Sequence, residues 1–127
     1  MIAVRATIQG EPDVPAFTKF FEYGKGDEEI FFSSAAMVEE KLRCKMKLNA
    51  NEALVLFCSH VVKSIRAGKK DSTIQDDGVK ILTARNTMIG VAETLRSITF
   101  EARVDNEPAR IIILNEPVTA GKSLLAS

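Results

Sequence analysis

The chain has 127 residues, of which 46% are hydrophobic and 27% are charged, a composition typical of one compact soluble domain. Its 17 basic and 17 acidic side chains cancel, which argues against binding nucleic acid or another polyanion through overall charge. The longest apolar run, Ala53 to Cys58, is far shorter than the roughly 18 residues that span a bilayer. We therefore expect no membrane segment.

The first residues and the cysteines indicate the compartment. The start, Met1 to Arg5, lacks the basic head and apolar stretch of a secretory signal. Cys44 and Cys58 have neither the CxxC spacing of a zinc site nor the pattern of a disulfide framework. These features predict a cytoplasmic protein with reduced thiols.

Although the net charge is zero, the middle of the chain contains a basic segment. Residues 34–70 carry eight basic and three acidic side chains, whereas residues 1–33 carry three basic and six acidic ones. A local basic patch can bind an anionic surface even in a neutral protein. A solvated helix face is the more ordinary origin of such a segment, and the sequence leaves both interpretations open.

The N-terminal elements are predicted to be a strand and a short helix. Apolar residues alternate along residues 2–8, a pattern typical of a half-buried strand, and residues 9–12 form a turn. Phenylalanines recur at helical spacing in residues 17–24, which predicts a short helix there. Residues 24–27 resemble a linker, so residues 1–33 are interpreted as an acidic, Phe-rich arm.

Two long helices are predicted after this arm. Ser34 is a candidate N-cap for the first, whose apolar stripe consists of Ala35, Val38, Leu42 and Met46. Asn49 and Glu52 can cap the second helix reciprocally, each side chain accepting from a backbone N–H of the other residue. The apolar face of residues 53–65 is wide enough to predict burial on two sides, and Gly68 ends this helix.

Two shorter helices are predicted next. Ser72 and Gln75 repeat the same start signal for a third helix, and its Gly78 indicates close helix packing at that position. Thr83 is a candidate cap for a fourth, short helix that Gly90 would end. Residues 91–95 are expected to add one further helical turn.

After these helices, the spacing of apolar residues changes to the period of two that is typical of strands. Residues 97–104 alternate, residues 105–108 supply a turn, and residues 110–114 are rich in β-branched side chains, so a hairpin is predicted. The N-terminal strand is expected to pair with an edge of this hairpin, giving a three-stranded sheet. The predicted class is α+β: a mainly helical bundle with a C-terminal β-hairpin and an added N-terminal strand–helix arm.

The chain contains motifs of chemical interest, but none of them predicts an active site. Gly121-Lys122-Ser123 resembles the end of a phosphate-binding loop, yet Glu116 stands where that loop requires glycine. His60, alone on an apolar helix, is more typical of a structural histidine than of a metal ligand or general base. The chain also has two pairs of adjacent carboxylates, Glu39-Glu40 and Asp76-Asp77. Neighbouring side chains on a helix diverge by about 100°, so these pairs are interpreted as solvated surface charges. We predict no catalytic, cofactor-binding or metal-binding residue.

Several short motifs follow one another in a fixed order along the middle and end of the chain. They are Lys47-Leu48-Asn49, Glu52-Ala53, Gly68-Lys69, Leu82-Thr83, Met88 with Gly90-Val91, and Phe100-Glu101-Ala102. Their order and spacing resemble the gamma subunit of urease over about residues 34–118, a urease gamma-like domain. Residues 1–33 have no counterpart in that family, and residues 119–127 are interpreted as a C-terminal tail.

The resemblance implies a role in assembly. Urease is a nickel-dependent hydrolase of urea, and its nickel ligands and catalytic groups belong to the large alpha subunit, whereas the gamma subunit is a small piece of the assembly. We therefore expect a non-catalytic structural subunit of a urease or a divergent urease-like complex. Its expected partners are urease alpha-type and beta-type chains, and no cofactor is expected on this chain.

Other functions remain open. A stand-alone urease gamma-like domain of unrelated role would self-associate or bind an anionic ligand through its basic helices, and an independent enzyme has the least support. We also expect a homo-oligomer, because so small a domain has too few layers to cover the apolar helix over residues 53–65. The resemblance to the urease gamma subunit, part of a trimeric assembly, implies a trimer in preference to a dimer. Further apolar surface is expected from Phe17, Phe20, Phe21, Phe31 and Phe32.

Overall fold

The protein folds as an antiparallel sheet with helices packed on one of its faces. The computed structural model describes residues 1–120, so the predicted phosphate-loop-like Gly121-Lys122-Ser123 lies outside the described residues. None of the helices in this range combines the length and the apolar character needed to cross a membrane. In chain order the elements are β1 (Ile2–Gln9), β2 (Phe17–Tyr23), α1 (Glu28–Arg43), α2 (Ala50–Arg66), α3 (Asp71–Gly78), β3 (Leu82–Thr83), a 3-10 turn (Ala84–Asn86), α4 (Val91–Thr94), β4 (Ser97–Val104), β5 (Arg110–Asn115) and β6 (Val118–Thr119).

The main sheet has the strand order β2-β1-β4-β5, and every neighbouring pair is antiparallel. The predicted hairpin of β4 and β5 is confirmed, as is the pairing of the N-terminal strand with it: Ile2 lies opposite Val104 and Ile8 opposite Ile98. A separate parallel pair joins β3 to β6. The α+β class is therefore confirmed, but a mainly helical bundle is not, because a four-stranded sheet, one strand wider than predicted, forms one layer of the fold.

The segment predicted as a short helix, residues 17–24, is strand β2. Phe17 pairs with Ile8, and Phe21 pairs with Val4 on the neighbouring β1. Aromatic residues fit strands as well as helices, and the backbone groups along the free edge of β1 require partners that a helix cannot supply. The predicted strand–helix arm is therefore a two-stranded hairpin, and β1 is an inner strand of the sheet.

Helix α1 begins earlier than predicted, at Glu28 instead of Ser34. Ser34 lies inside the helix and donates its hydroxyl to the Ile30 carbonyl at 3.0 Å. The earlier start places Phe31 on the buried side of α1, where its ring meets that of Phe21 with centroids 5.9 Å apart. Two acidic side chains in the first turn, which favour a helix N-terminus, accompany this start.

The boundaries of the shorter helices also differ from the prediction. The N-cap of α3 is Lys70, and no side chain caps that helix, so Ser72 is not its start. Thr83 does begin a helical turn, because its backbone N–H and hydroxyl both donate to Asn86 Oδ1, at 2.9 and 3.1 Å. Gly90 has a φ of 94° and precedes α4, so it begins a helix where the sequence predicted an end.

Helix α2 lies at the centre of the core. It packs against α1, α3 and the sheet, and its buried residues are Ala53, Leu54, Leu56, Phe57, Cys58, Ser59, Val61, Val62 and Ser64. The predicted burial on two sides is confirmed. The expectation that a second chain must cover this helix is wrong, because α1, α3 and the sheet of the same chain cover it.

Gly78 marks a close contact, as the sequence predicts, but the nearest neighbour is a strand. A Cβ atom at Gly78 would lie 2.6 Å from Leu114 Cδ2 on β5 and 3.5 Å from His60 Cδ2 on α2. The absence of a side chain at the end of α3 thus lets this helix approach the sheet and α2 together.

An ionic cluster ties four segments of the chain to one another. Arg66, the last residue of α2, donates to Glu28 Oε1 at 2.7 Å and to Asp105 Oδ1, in the β4–β5 turn, at 2.8 Å. The α-amino group of Met1 lies 2.5 Å from Glu28 Oε2. The Met1 amino group and the Arg66 guanidinium together lower the pKa of Glu28, and Arg66 lowers the pKa of Asp105.

The capping box predicted for α2 is confirmed. Asn49 Oδ1 accepts from the Glu52 backbone N–H at 2.8 Å, and Glu52 Oε1 accepts from the Asn49 N–H at 2.9 Å. Glu52 also pairs with Lys41 of α1, and the hydrogen bonds from Lys41 and from the Asn49 backbone lower its pKa. The start of α2 is thereby attached to the neighbouring helix.

Replacing Asn49 with alanine is expected to lower the free energy of unfolding by about 1 kcal/mol, because one N-terminal N–H of α2 loses its acceptor. Urea denaturation followed by circular dichroism measures this change. The matched control is Asn51→Ala, an exposed position in the same turn, which is expected to change the free energy of unfolding by less than about 0.5 kcal/mol. Equal losses in both variants would contradict the capping role of Asn49.

Replacing Glu28 with glutamine is expected to lower the melting temperature at pH 7 but to have little effect at pH 3. A carboxyl with a lowered native pKa stabilises the fold above its unfolded-state pKa of about 4.3, and this contribution is lost as the pH falls through the native pKa. Thermal unfolding across this pH range measures the difference.

The control for this experiment is Glu29→Gln, the exposed neighbour in the same first turn of α1. It makes the same change in net charge and in the interaction with the helix dipole, but Glu29 has no part in the cluster. A melting temperature lowered equally by both variants at pH 7 would assign the effect to the dipole instead of the cluster.

Candidate assembly surface

The one histidine is held by the protein's own groups. His60 is half-buried, its Nε2 donates to the Ile74 carbonyl at 2.9 Å, and Ser64 Oγ lies 3.5 Å from its Nδ1. Within residues 1–120, no group of three or more His, Cys, Asp or Glu side chains is placed to hold a metal ion. The arrangement around His60 is that of a structural histidine, because both ring nitrogens face protein groups.

The adjacent carboxylates point to different partners, as their helical positions predict. Glu40 accepts from Arg43 at 2.6 Å, whereas Glu39 lies 3.8 Å from Lys63 on α2. Because the two side chains turn in different directions, they do not form the close carboxylate couple that general acid–base chemistry uses.

The two cysteines are poor nucleophiles. Burial raises the pKa of the Cys58 thiol. A hydrogen bond with Glu40 and the negative charge of that carboxylate raise the pKa of the exposed Cys44. Since the thiolate is the reactive form of cysteine, these shifts make both thiols less reactive than an unperturbed cysteine.

The main sheet has one covered face and one open face. Its covered face consists of Ile2, Val4, Ala6, Ile8, Phe21, Ile98, Phe100, Ala102, Val104, Ile112 and Leu114, all of which are buried. Alternate residues of a strand point to opposite faces. The other face, here called the outer sheet face, is half-buried or exposed and consists of Ala3, Arg5, Thr7, Thr18, Phe20, Glu22, Thr99, Glu101, Arg103, Ile111 and Ile113.

The outer sheet face has a polar centre and apolar margins. In one row across the strands, Phe20 lies opposite Arg5, Arg5 opposite Glu101, and Glu101 opposite Ile111. Arg5 and Glu101 form an ion pair with each other. Phe20 is 69% exposed and Ile111 is 58% exposed. Arg5 and Glu101 are already paired with each other, so a partner that covers this pair leaves neither of the two charges without a counterion.

The two edges of the sheet differ. Helix α3 closes the β5 edge, where Gln75 Oε1 accepts from the Ile113 backbone N–H at 3.0 Å and Arg110 Nε donates to Asp71 at 2.8 Å. In the described part of the chain, β2 pairs only with β1. The exposed apolar side chains Phe17 and Phe20 therefore lie on the open edge strand, where pairing or packing with another chain meets no obstacle.

The sequence predicts a helix over residues 17–24, so it does not place Phe20 on a sheet face. The positions of Ile111 and Ile113 can be predicted from the sequence. Residues 111–114 are four successive apolar side chains in a predicted strand, a pattern that makes both faces of the strand apolar. The predicted hairpin was therefore sufficient to expect exposed isoleucines on one side of β5.

A family comparison and a search for similar proteins point to the same family. The family described as urease, gamma subunit, matches residues 24–118. The urease subunit gamma of Saccharopolyspora erythraea is 28% identical over 92 residues, and that of Prochlorococcus marinus is 29% identical over 92 residues. Each alignment covers 72% of this chain and 91% of the relative. The family match begins after β2, and it covers three quarters of the chain; the protein belongs to the urease gamma subunit family.

Proposed function

We propose that this protein is a non-catalytic assembly subunit of a urease or urease-like complex, in which partner chains carry the chemistry on urea. Family membership supports a urease subunit. The observation that carries the assembly role is the outer sheet face, on which Phe20, Ile111 and Ile113 are exposed around the Arg5–Glu101 ion pair. Apolar side chains of this size are enriched where one protein surface meets another.

The proposed partners are alpha-type and beta-type urease chains, and the proposed complex is cytoplasmic. Within it, this chain is proposed to be present in three copies, the symmetry that the resemblance implies. The division into residues 1–33, 34–118 and 119–127 is retained as a functional proposal, although the first boundary falls inside α1. In this proposal the segment that forms β1 and β2 adapts the outer sheet face to its partner.

The residues of this chain do not fit the nickel that urease chemistry requires. Nickel prefers imidazole and other nitrogen or oxygen donors in a converging set. His60 is the one histidine of the chain, its Nε2 donates to the Ile74 carbonyl, and no cluster of ligands is present within residues 1–120. Nickel chemistry is therefore assigned to a partner chain.

The purified chain is expected to release no ammonia from urea, with or without added nickel. It is also expected to bind no stoichiometric nickel, because the chain offers one histidine and no converging ligands in its described part. An ammonia assay and metal analysis after gel filtration measure the two quantities. Turnover of urea, or one tightly bound nickel ion per chain, would contradict a non-catalytic role.

The chain is expected to copurify with alpha-type and beta-type urease chains from the same genome when all three are expressed together. The variant Phe20→Glu with Ile111→Glu is expected to lose most of this copurification, because it places two charges on apolar margins of the outer sheet face. The complex is expected to persist at about 1 M salt, since apolar contacts strengthen where exposed charge pairs are screened.

The matched control is Ile30→Glu with Met37→Glu, which makes the same kind of change on exposed positions of helix α1. If this control abolishes copurification and the sheet variant does not, the outer sheet face is not the interface. Dissociation at high salt would assign the contact to charged groups. A self-associating chain that retains no urease partner, from a genome without neighbouring urease genes, would support the stand-alone alternative.

A further inference from the structure

A cleft lies on the helical side of the molecule, away from the outer sheet face. Its volume is about 460 Å³, within the size range of small-molecule sites. One face of α2 forms its floor, with Ser59, His60, Lys63 and Ser64 at helical spacing. Glu39 of α1 and Lys69, just before α3, stand at its sides.

Ser59 is the residue of this cleft that lacks an internal partner. The side chain is 1% exposed, and its Oγ makes no hydrogen bond with any of residues 1–120. Folding rarely leaves a buried hydroxyl unpaired, because desolvation without a hydrogen bond is unfavourable. Because Ser59 also lines the cleft, a ligand on the cleft floor would lie next to this unpaired hydroxyl.

The two lysines of the cleft form only long ion pairs. Lys63 Nζ lies 3.8 Å from a Glu39 oxygen, and Lys69 Nζ lies 3.7 Å from an Asp77 oxygen, both beyond hydrogen-bond distance. Ser64 Oγ is 3.5 Å from His60 Nδ1, at the limit for a hydrogen bond. The cleft is thus lined by two ammonium groups, two hydroxyls and the Glu39 carboxylate, and the Asp77 carboxylate lies beside Lys69.

We propose that this cleft binds a small anion through a carboxylate or phosphate group. The Ser59 hydroxyl donates to the anion at the floor, and the Lys63 and Lys69 ammonium groups neutralise it at the rim. Leu56 and Ile81, which also line the cleft, pack against the carbon skeleton of an organic anion. The basic segment noted in the sequence supplies both lysines, and the inference is independent of the proposed assembly role.

The test is titration of the full chain with inorganic phosphate and, separately, with succinate, at an ionic strength held constant with sodium chloride. Backbone amide NMR shifts report both affinity and position. We expect saturable shifts centred on Ser59, Lys63 and Ser64 with at least one of the two anions. Saturation by phosphate alone or succinate alone supports the site and identifies the group it prefers.

Three variants distinguish a specific binding site from a general effect of surface charge on anion binding. Lys63→Ala and Ser59→Ala are each expected to weaken binding by about tenfold or more, the effect of losing a hydrogen bond to a charged group. The control, Lys80→Ala, removes the same charge from an exposed lysine that does not line the cleft, and is expected to change affinity by less than about twofold.

Thermal stability distinguishes a loss of binding from a loss of folding in the Ser59→Ala variant. In the absence of anion, Ser59→Ala is expected to melt at the same temperature as the unsubstituted chain or higher, because it removes an unpaired buried hydroxyl. A variant that is at least as stable but binds anions more weakly supports the proposal. The proposal is overturned if neither anion saturates below about 10 mM, or if Lys80→Ala weakens binding as much as Lys63→Ala.

Discussion

The burial of helix α2 is the constraint on which the rest of the structure depends. This helix packs against α1, α3 and the sheet. Because the sheet must present apolar side chains to α2, the even-numbered residues of β1 and β4 are fixed on the inner face. Their odd-numbered neighbours are then forced outward by the period of two, so the same contact that builds the core also determines the outer sheet face.

The N-terminal hairpin changes what this family domain presents to its surroundings. The family match begins at residue 24, so β1 and β2 lie outside it, whereas β4 and β5 lie within it. Without β1, strand β4 would be an edge with unpaired backbone groups. With it, the sheet becomes wider and its new margin carries Phe20. The outer sheet face is therefore shared between the part of the chain that the family match covers and the N-terminal segment that lies outside it.

The two candidate surfaces differ in how their polar groups are satisfied. On the outer sheet face, Arg5 and Glu101 are paired with each other, so a partner that covers them leaves neither charge without a counterion. In the cleft along α2, the Ser59 hydroxyl has no partner within residues 1–120, and two lysines lie beyond hydrogen-bond distance of their carboxylates. The first surface suits a protein, whereas the second suits a small anion, and they lie on opposite layers of the fold.

The sequence by itself determined the features that depend on neighbouring residues: the Asn49–Glu52 cap, the alternation of β1, the β4–β5 hairpin and the solitary His60. The family resemblance was likewise carried by short local motifs. Only the tertiary structure decided that residues 17–23 are a strand, that the chain covers α2 by itself, and that Ser59 lacks a partner. The reason is physical: caps and turns are satisfied by groups a few residues away, whereas strand pairing, burial and the partner of a buried hydroxyl depend on residues distant in the chain.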